Sequence, residues 1–207
     1  PKLRFMPALS RFAALVLFAL PLMAAEQAPA PAGKAPPQVQ GKVPAPPASA
    51  QLDLLFGRLK TAKTPTEAEF IETMIAAIWT TTPSDTTNLL YKRGVAALAK
   101  GDNQLAYDLF TSVTQLSPDF AEGWHELGTV NFAMDAHDEA MFDLERALRI
   151  EPRHYGAMMG LASIFEMYGN KKAALEVLRR AQALNPHIEG IDGRIRSLSR
   201  DVEGQGL

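Results

Sequence analysis

The chain has 207 residues, of which 47% are hydrophobic, 21% charged and 8% aromatic. That balance suits a globular protein and excludes a wholly disordered one. With 21 basic against 23 acidic residues the net charge is −2, which gives no electrostatic footprint for nucleic acid. No cysteine is present, so a disulfide framework, a thiolate metal site and a cysteine nucleophile are all excluded.

Lys2, Arg4 and Arg11 precede an uncharged apolar run from Phe12 to Leu22, followed by Ala24 and Ala25. A positive head, a short apolar core and small residues at the exit predict a secretory signal peptide over 1–25. The run is short of the roughly 20 apolar residues of a comfortable membrane span, so no span is expected after cleavage. An uncleaved N-terminal anchor is the alternative. Residues 26–49 are rich in proline and alanine with almost no bulky apolar side chain, and are expected to form a semi-extended, disordered linker.

Residues 50–84 carry two apolar helical stripes. Leu52, Leu55, Phe56 and Leu59 form the first, and Phe70, Ile71, Met74, Ile75, Ile78 and Trp79 the second, after Pro65. This helix pair is expected to close the N-terminal end of the helical array that occupies the rest of the chain.

That array is a repeat. Pro118, Pro152 and Pro186 are 34 residues apart, and so are Ala106, Ala140 and Ala174. Phe110, Leu144 and Leu178 keep the same period, as do Gly94, Gly128 and Ala162. Within each unit the apolar positions recur at helical spacing, which predicts two helices per unit. Small residues such as Gly128 and Ala140 would let the two backbones approach closely. Gly101 and Gly169 are expected to end the first helix in a left-handed conformation, with Asp102 and Asn170 capping the second. Asp135 and Ala136 replace that pair in the middle unit, whose turn should be less regular. The prolines are expected to start the next helix, where a missing N–H costs nothing.

The middle unit, with Trp124, Leu127, Gly128, Ala140, Leu144, Ala147 and Pro152, resembles the tetratricopeptide repeat family. The resemblance implies an all-α, right-handed α-solenoid with three repeats over 87–188 (87–120, 121–154 and 155–188). Residues 189–203 would form a capping helix, the stripe of Ile188, Ile191, Ile195, Leu198 and Val202 facing the last repeat. Asp192, Arg194, Arg196 and Arg200 would face solvent.

Catalytic candidates are scarce. His125–Glu126 begins like a zinc-protease motif, but Thr129 stands where the second histidine is required. His137, His154 and His187 are expected on different turns of the stack, with no three ligands converging. Neither a metal, a cofactor nor a catalytic residue is therefore expected, and an enzyme is the least favoured reading.

In a stack of this type the first helix of each unit lines a concave groove. The candidate binding residues are Asn88, Tyr91, Val95 and Leu98, then Glu122, His125, Thr129 and Phe132, then Met159, Ser163, Glu166 and Met167. Some family members grip a C-terminal carboxylate with lysine, asparagine and arginine in this groove. Tyr91, Val95, Glu126, Gly156 and Gly160 stand in those places here, so a helix or an extended apolar segment is the better-fitting ligand. The expected function is a non-catalytic scaffold of the cell envelope, periplasmic if the leader is cleaved and anchored to the inner membrane if not. It would bind a protein or peptide partner and no nucleic acid. The alternative is an assembly subunit acting through its apolar ends, with Trp79 and Ile78 as the hint. Oligomeric state is left open.

Overall fold

The computed structural model describes residues 47–204, so the leader and most of the linker expected from the sequence lie outside the described residues. These residues form nine helices and no strand. A hairpin of α1 (Ala48–Thr61) and α2 (Pro65–Trp79) comes first. Three helix pairs come after it: α3 (Asp85–Leu98) with α4 (Asn103–Leu116), α5 (Ala121–Ala133) with α6 (His137–Ile150), and α7 (Tyr155–Met167) with α8 (Lys171–Leu184). The last helix, α9 (Ile191–Glu203), packs on α8. The chain is an all-α solenoid of repeated helical hairpins.

The first two pairs are held by a large side chain on the second helix meeting a glycine on the first. A Cβ at Gly94 would lie 2.7 Å from the Phe110 ring, and one at Gly128 would lie 2.9 Å from Leu144 Cγ and 3.1 Å from the Ala140 carbonyl oxygen. Ala106, Ala140 and Ala174 are fully buried at the same level, and no larger side chain fits between backbones at that distance.

The turns within the pairs share one geometry. Gly101 and Gly169 have φ of 74° and 73°, and the following amides, Asp102 and Asn170, donate back to Ala97 O and Phe165 O at 3.0 and 2.8 Å. This is the Schellman closure of a helix end. The middle turn is as regular as the others, contrary to expectation: Asp135 adopts φ 62° and the Ala136 N–H donates to Asn131 O at 2.9 Å. Aspartate tolerates the left-handed region better than most residues, so the turn survives without glycine. What the middle unit lacks is the cap. Asp102 and Asn170 accept from Leu105 N and Ala173 N, whereas Ala136 makes no such bond.

Two further expectations are corrected. The prolines do not start helices; Pro118 and Pro152 sit at the second position of β-turns closed by Phe120 N–H to Ser117 O and His154 N–H to Glu151 O, both 3.0 Å. Proline's fixed φ suits that position. The N-terminal hairpin, too, does not close the N-terminal end of the stack. It folds back on the third unit, where Phe56 meets Tyr155 edge-on at 6.4 Å and Trp79 stacks on His154 at 4.5 Å. Asn185 Nδ2 donates to Glu72 at 2.6 Å, His187 Nε2 donates to Leu59 O at 3.1 Å, and Arg153 pairs with Asp53. The buried side of the hairpin, Leu52, Leu55, Phe56, Leu59, Ala68, Ile71 and Ile75, packs against Tyr155 and Leu184. Stacked on the first unit instead, the hairpin would meet the exposed Leu89 and Val95 but would also desolvate Lys92, Arg93 and Lys100, which are exposed along α3 and its end.

Trp124 and Met158 are packing residues, as their spacing suggested: Met158 is buried in the third unit's core, and Trp124 bridges the first and second cores while its Nε1 donates to Pro118 O at 3.0 Å. Asp143 is buried within the second pair, where it accepts from Asn131 Nδ2 at 2.7 Å. Burial pushes its carboxyl up to about 6, against the pull of the Asn131 hydrogen bond and with the Glu139 charge adding to the rise.

Two outcomes are expected. Ala136→Asn should supply the missing cap and raise stability by about 1 kcal/mol in urea denaturation. An acid whose folded pKa is raised binds more protons folded than unfolded, so the Asp143 contribution to stability is present below its unfolded value of 3.8 and is lost as pH rises through about 6. Asp143→Asn keeps an acceptor for Asn131, and should raise the melting temperature at neutral pH while giving little at about pH 4.

Candidate functional site

α5 and α7 lie side by side with α6 behind them. Leu144 of α6 reaches between them because Gly128 and Gly160 have no side chains: a Cβ at Gly160 would lie 2.9 Å from Leu144 Cδ1. A pocket of about 290 Å³ results, lined by His125, Thr129, Phe132, Met159, Ser163 and Arg194 over a floor of Leu144 and the backbones of Gly128, Gly156 and Gly160. Phe132 remains 38% exposed at its edge.

Five of the twelve groove candidates therefore meet in one place: His125, Thr129, Phe132, Met159 and Ser163. The others go elsewhere. Asn88 is committed to the α2–α3 connection, its amide donating to Thr82 O and its Oδ1 accepting from Thr82 N, each at 2.9 Å. Val95 is exposed and Leu98 half-buried on α3, outside this pocket. Met167 is exposed at the end of α7. Glu166 accepts from Arg194 Nε and Nη2 at 3.2 and 2.8 Å.

Tyr91 and Glu122 are corrections. Both are buried rather than open to the groove. The Tyr91 ring packs between Phe110 and Phe120 at 6.0 and 5.6 Å, and its hydroxyl points at Glu122 Oε1, 3.4 Å away. Arg194 is a correction as well: it turns from the capping helix into the groove, and also donates to Ser163 Oγ at 3.3 Å.

Two of the four histidines do converge with a glutamate, against expectation. Glu122, His125 and His154 each bring a ligand-type atom within 4.8 Å of the other two. His154 Nε2 lies 2.8 Å from Glu122 Oε2, and His125 Nδ1 lies 3.5 Å from Oε1. Position 154 aligns with Phe120 and Ile188 in the 34-residue repeat. A polar residue in an otherwise apolar column was the available signal.

Glutamate and two histidines are a zinc-type donor set, so the proton positions decide. The Ala157 N–H donates to His154 Nδ1 at 3.1 Å, capping α7. That assigns the His154 proton to Nε2, aimed at Glu122. A metal at Nε2 would displace this proton and force one onto Nδ1, against the Ala157 N–H. The residues present fit a hydrogen-bonded carboxylate better than a metal centre.

Burial works to raise the Glu122 carboxyl, but the close approach of His125, the His154 hydrogen bond and attraction to both rings hold it well below the usual carboxylate range. Burial pushes His154 down, against its Glu122 hydrogen bond and reinforced by the charge of His125. For His125 burial acts downward too, yet the Glu122 carboxylate 3.5 Å from Nδ1 and the charge of Glu126 leave it raised. Burial, then the Glu122 charge, raises Tyr91.

The tetratricopeptide repeat family model matches residues 131–198. A TPR repeat-containing protein of Rhizobium etli is 33% identical over 154 residues, spanning 74% of this chain and 76% of its own. The chain belongs to the tetratricopeptide repeat family. Solved repeat domains share the fold at low identity. The first TPR of Spaghetti (RPAP3), bound to an HSP90 peptide, has a TM-score of 0.56 at 16% identity, over 59% of this chain and 97% of that one. The Yersinia enterocolitica type III secretion chaperone SycD, in complex with a peptide of the translocator YopD, has a TM-score of 0.54 at 20% identity, over 60% and 97%.

Removing the Glu122 carboxylate strands the His154 Nε2–H and the Tyr91 hydroxyl in the interior. Glu122→Ala is expected to cost about 1–3 kcal/mol in urea denaturation. Glu122→Gln, whose amide oxygen still accepts from His154, is expected to cost less.

Proposed function

We propose that this tetratricopeptide repeat protein is a non-catalytic scaffold that binds a peptide or helical segment of another protein in the groove between α5 and α7. The observation that carries the reading is the glycine-floored pocket beside the exposed Phe132 ring. Its shape accepts an apolar side chain, and Met159 is unbranched and able to adjust to one. Two proteins of the same fold hold peptides, an HSP90 peptide in one and a YopD peptide in the other.

The pocket's hydroxyls support the non-catalytic reading. Thr129 Oγ1 donates to His125 O at 3.0 Å and Ser163 Oγ donates to Met159 O at 3.1 Å. Neither is paired with a base that would activate it as a nucleophile.

We place the scaffold in the cell envelope. The support is Lys2, Arg4 and Arg11 ahead of Phe12–Leu22, and the proline- and alanine-rich 26–49 that would hold the domain off a membrane or wall. Cleavage would leave it periplasmic, and retention of the leader would anchor it to the inner membrane.

Phe132→Glu puts a charge at the pocket edge, where the ring is partly exposed. Affinity capture from cells with the native chain and this variant is expected to lose the native partners while helix content by circular dichroism is unchanged. The same partners on both forms would show that the groove is not the binding surface.

A further inference from the structure

The side of the N-terminal hairpin turned away from the third unit is apolar. Leu54 is 67% exposed, Phe70 62% and Met74 38%. Leu54 and Met74, with Leu55, Ala77 and Ile78, border a cleft of about 440 Å³ between α1 and α2. Single exposed apolar residues are ordinary, but a contiguous set across two helices marks an interaction surface. Trp79, the residue the sequence suggested for this role, is instead turned inward against His154.

The charges beside this surface are segregated. Asp53 and Glu72 are engaged by Arg153 and Asn185. Also exposed are Arg58 and Lys60 on α1, Lys63 in the turn, and Glu67 and Glu69 on α2, with Glu67 accepting from the Lys63 N–H at 3.1 Å. One helix of the hairpin thus presents positive charge and the other negative. Such a surface is complementary to itself.

We propose that this face is where two copies of the chain meet. A two-fold axis running along the hairpin lays each α1 on the α2 of the other copy, giving a four-helix arrangement with an isologous interface. Leu54 of one copy then faces Met74 of the other. Arg58, one turn further along α1, faces Phe70 and Glu67, one and two turns back along the antiparallel α2. The apolar centre supplies the attraction, and the opposed charges fix which helix lies on which. The acidic α2 argues against an anionic lipid surface as the occupant. None of these residues lines the groove pocket, so this proposal and the groove reading stand or fall separately.

Sedimentation velocity of the full chain from about 1 to 100 μM tests it, the range in which a modest interface populates a dimer. The native chain is expected to dimerise. Leu54→Glu and Arg58→Glu should each weaken the dimer at least about tenfold, equivalent to roughly 1.4 kcal/mol. Adding Glu67→Arg to Arg58→Glu should restore it, and Phe132→Glu should leave it unchanged. All four positions are exposed, and unchanged helix content by circular dichroism checks the fold of each variant. A monomer throughout overturns the proposal, whether residues 1–46 or another protein covers the face. A dimer indifferent to Leu54→Glu, or a charge swap that fails to rescue, also overturns it.

Discussion

Leu144 is the side chain on which the fold and the candidate site both rest. It fills the space left by Gly128 within the second pair, and its two methyl groups reach Gly160 in the third. One residue therefore sets the spacing of α5 against α6 and of α7 against both. The pocket floor is a by-product of that contact, since the glycines that admit Leu144 leave backbone where side chains would otherwise stand. Truncating a buried leucine leaves a cavity and costs about 2–5 kcal/mol. Here it would also deepen the groove.

A second tie runs across the units rather than within one. Glu122 joins Tyr91 of the first pair, His125 of the second and His154 at the entry to the third. The His154 ring continues the line to Trp79 of the hairpin. A buried carboxylate is tolerated because donors surround it. The result joins four elements that a simple array would leave in contact only with neighbours. His125 belongs both to this cluster and to the pocket wall, so the wall is fixed from behind.

The repeat was legible because its physical causes are local. Helical spacing, a small residue opposite a large one, a left-handed glycine and a capping aspartate all lie within one 34-residue unit, and each did what its chemistry implied. Apart from the prolines, whose β-turns are local, the departures lie where the outcome depended on distant residues. Nothing near Trp79 announces that its partner is His154, and nothing near Arg194 announces Glu166 and Ser163. The burial of Tyr91 followed from Phe110 and Phe120, which close around the ring. Asp135 shows the opposite case: a departure from the repeat consensus that the backbone absorbed because aspartate tolerates a positive φ.

The fold-back of the hairpin changes what the array must do during synthesis. Solenoids usually gain stability unit by unit, from contacts close in sequence. Here Asp53 waits for Arg153, and Glu72 for Asn185, separations of 100 and 113 residues. At typical elongation rates of about 5–20 residues per second, the hairpin's inner face stays uncovered for several seconds after it emerges. That interval is the stage at which α1 and α2, apolar on both sides, are most open to capture by chaperones or by one another.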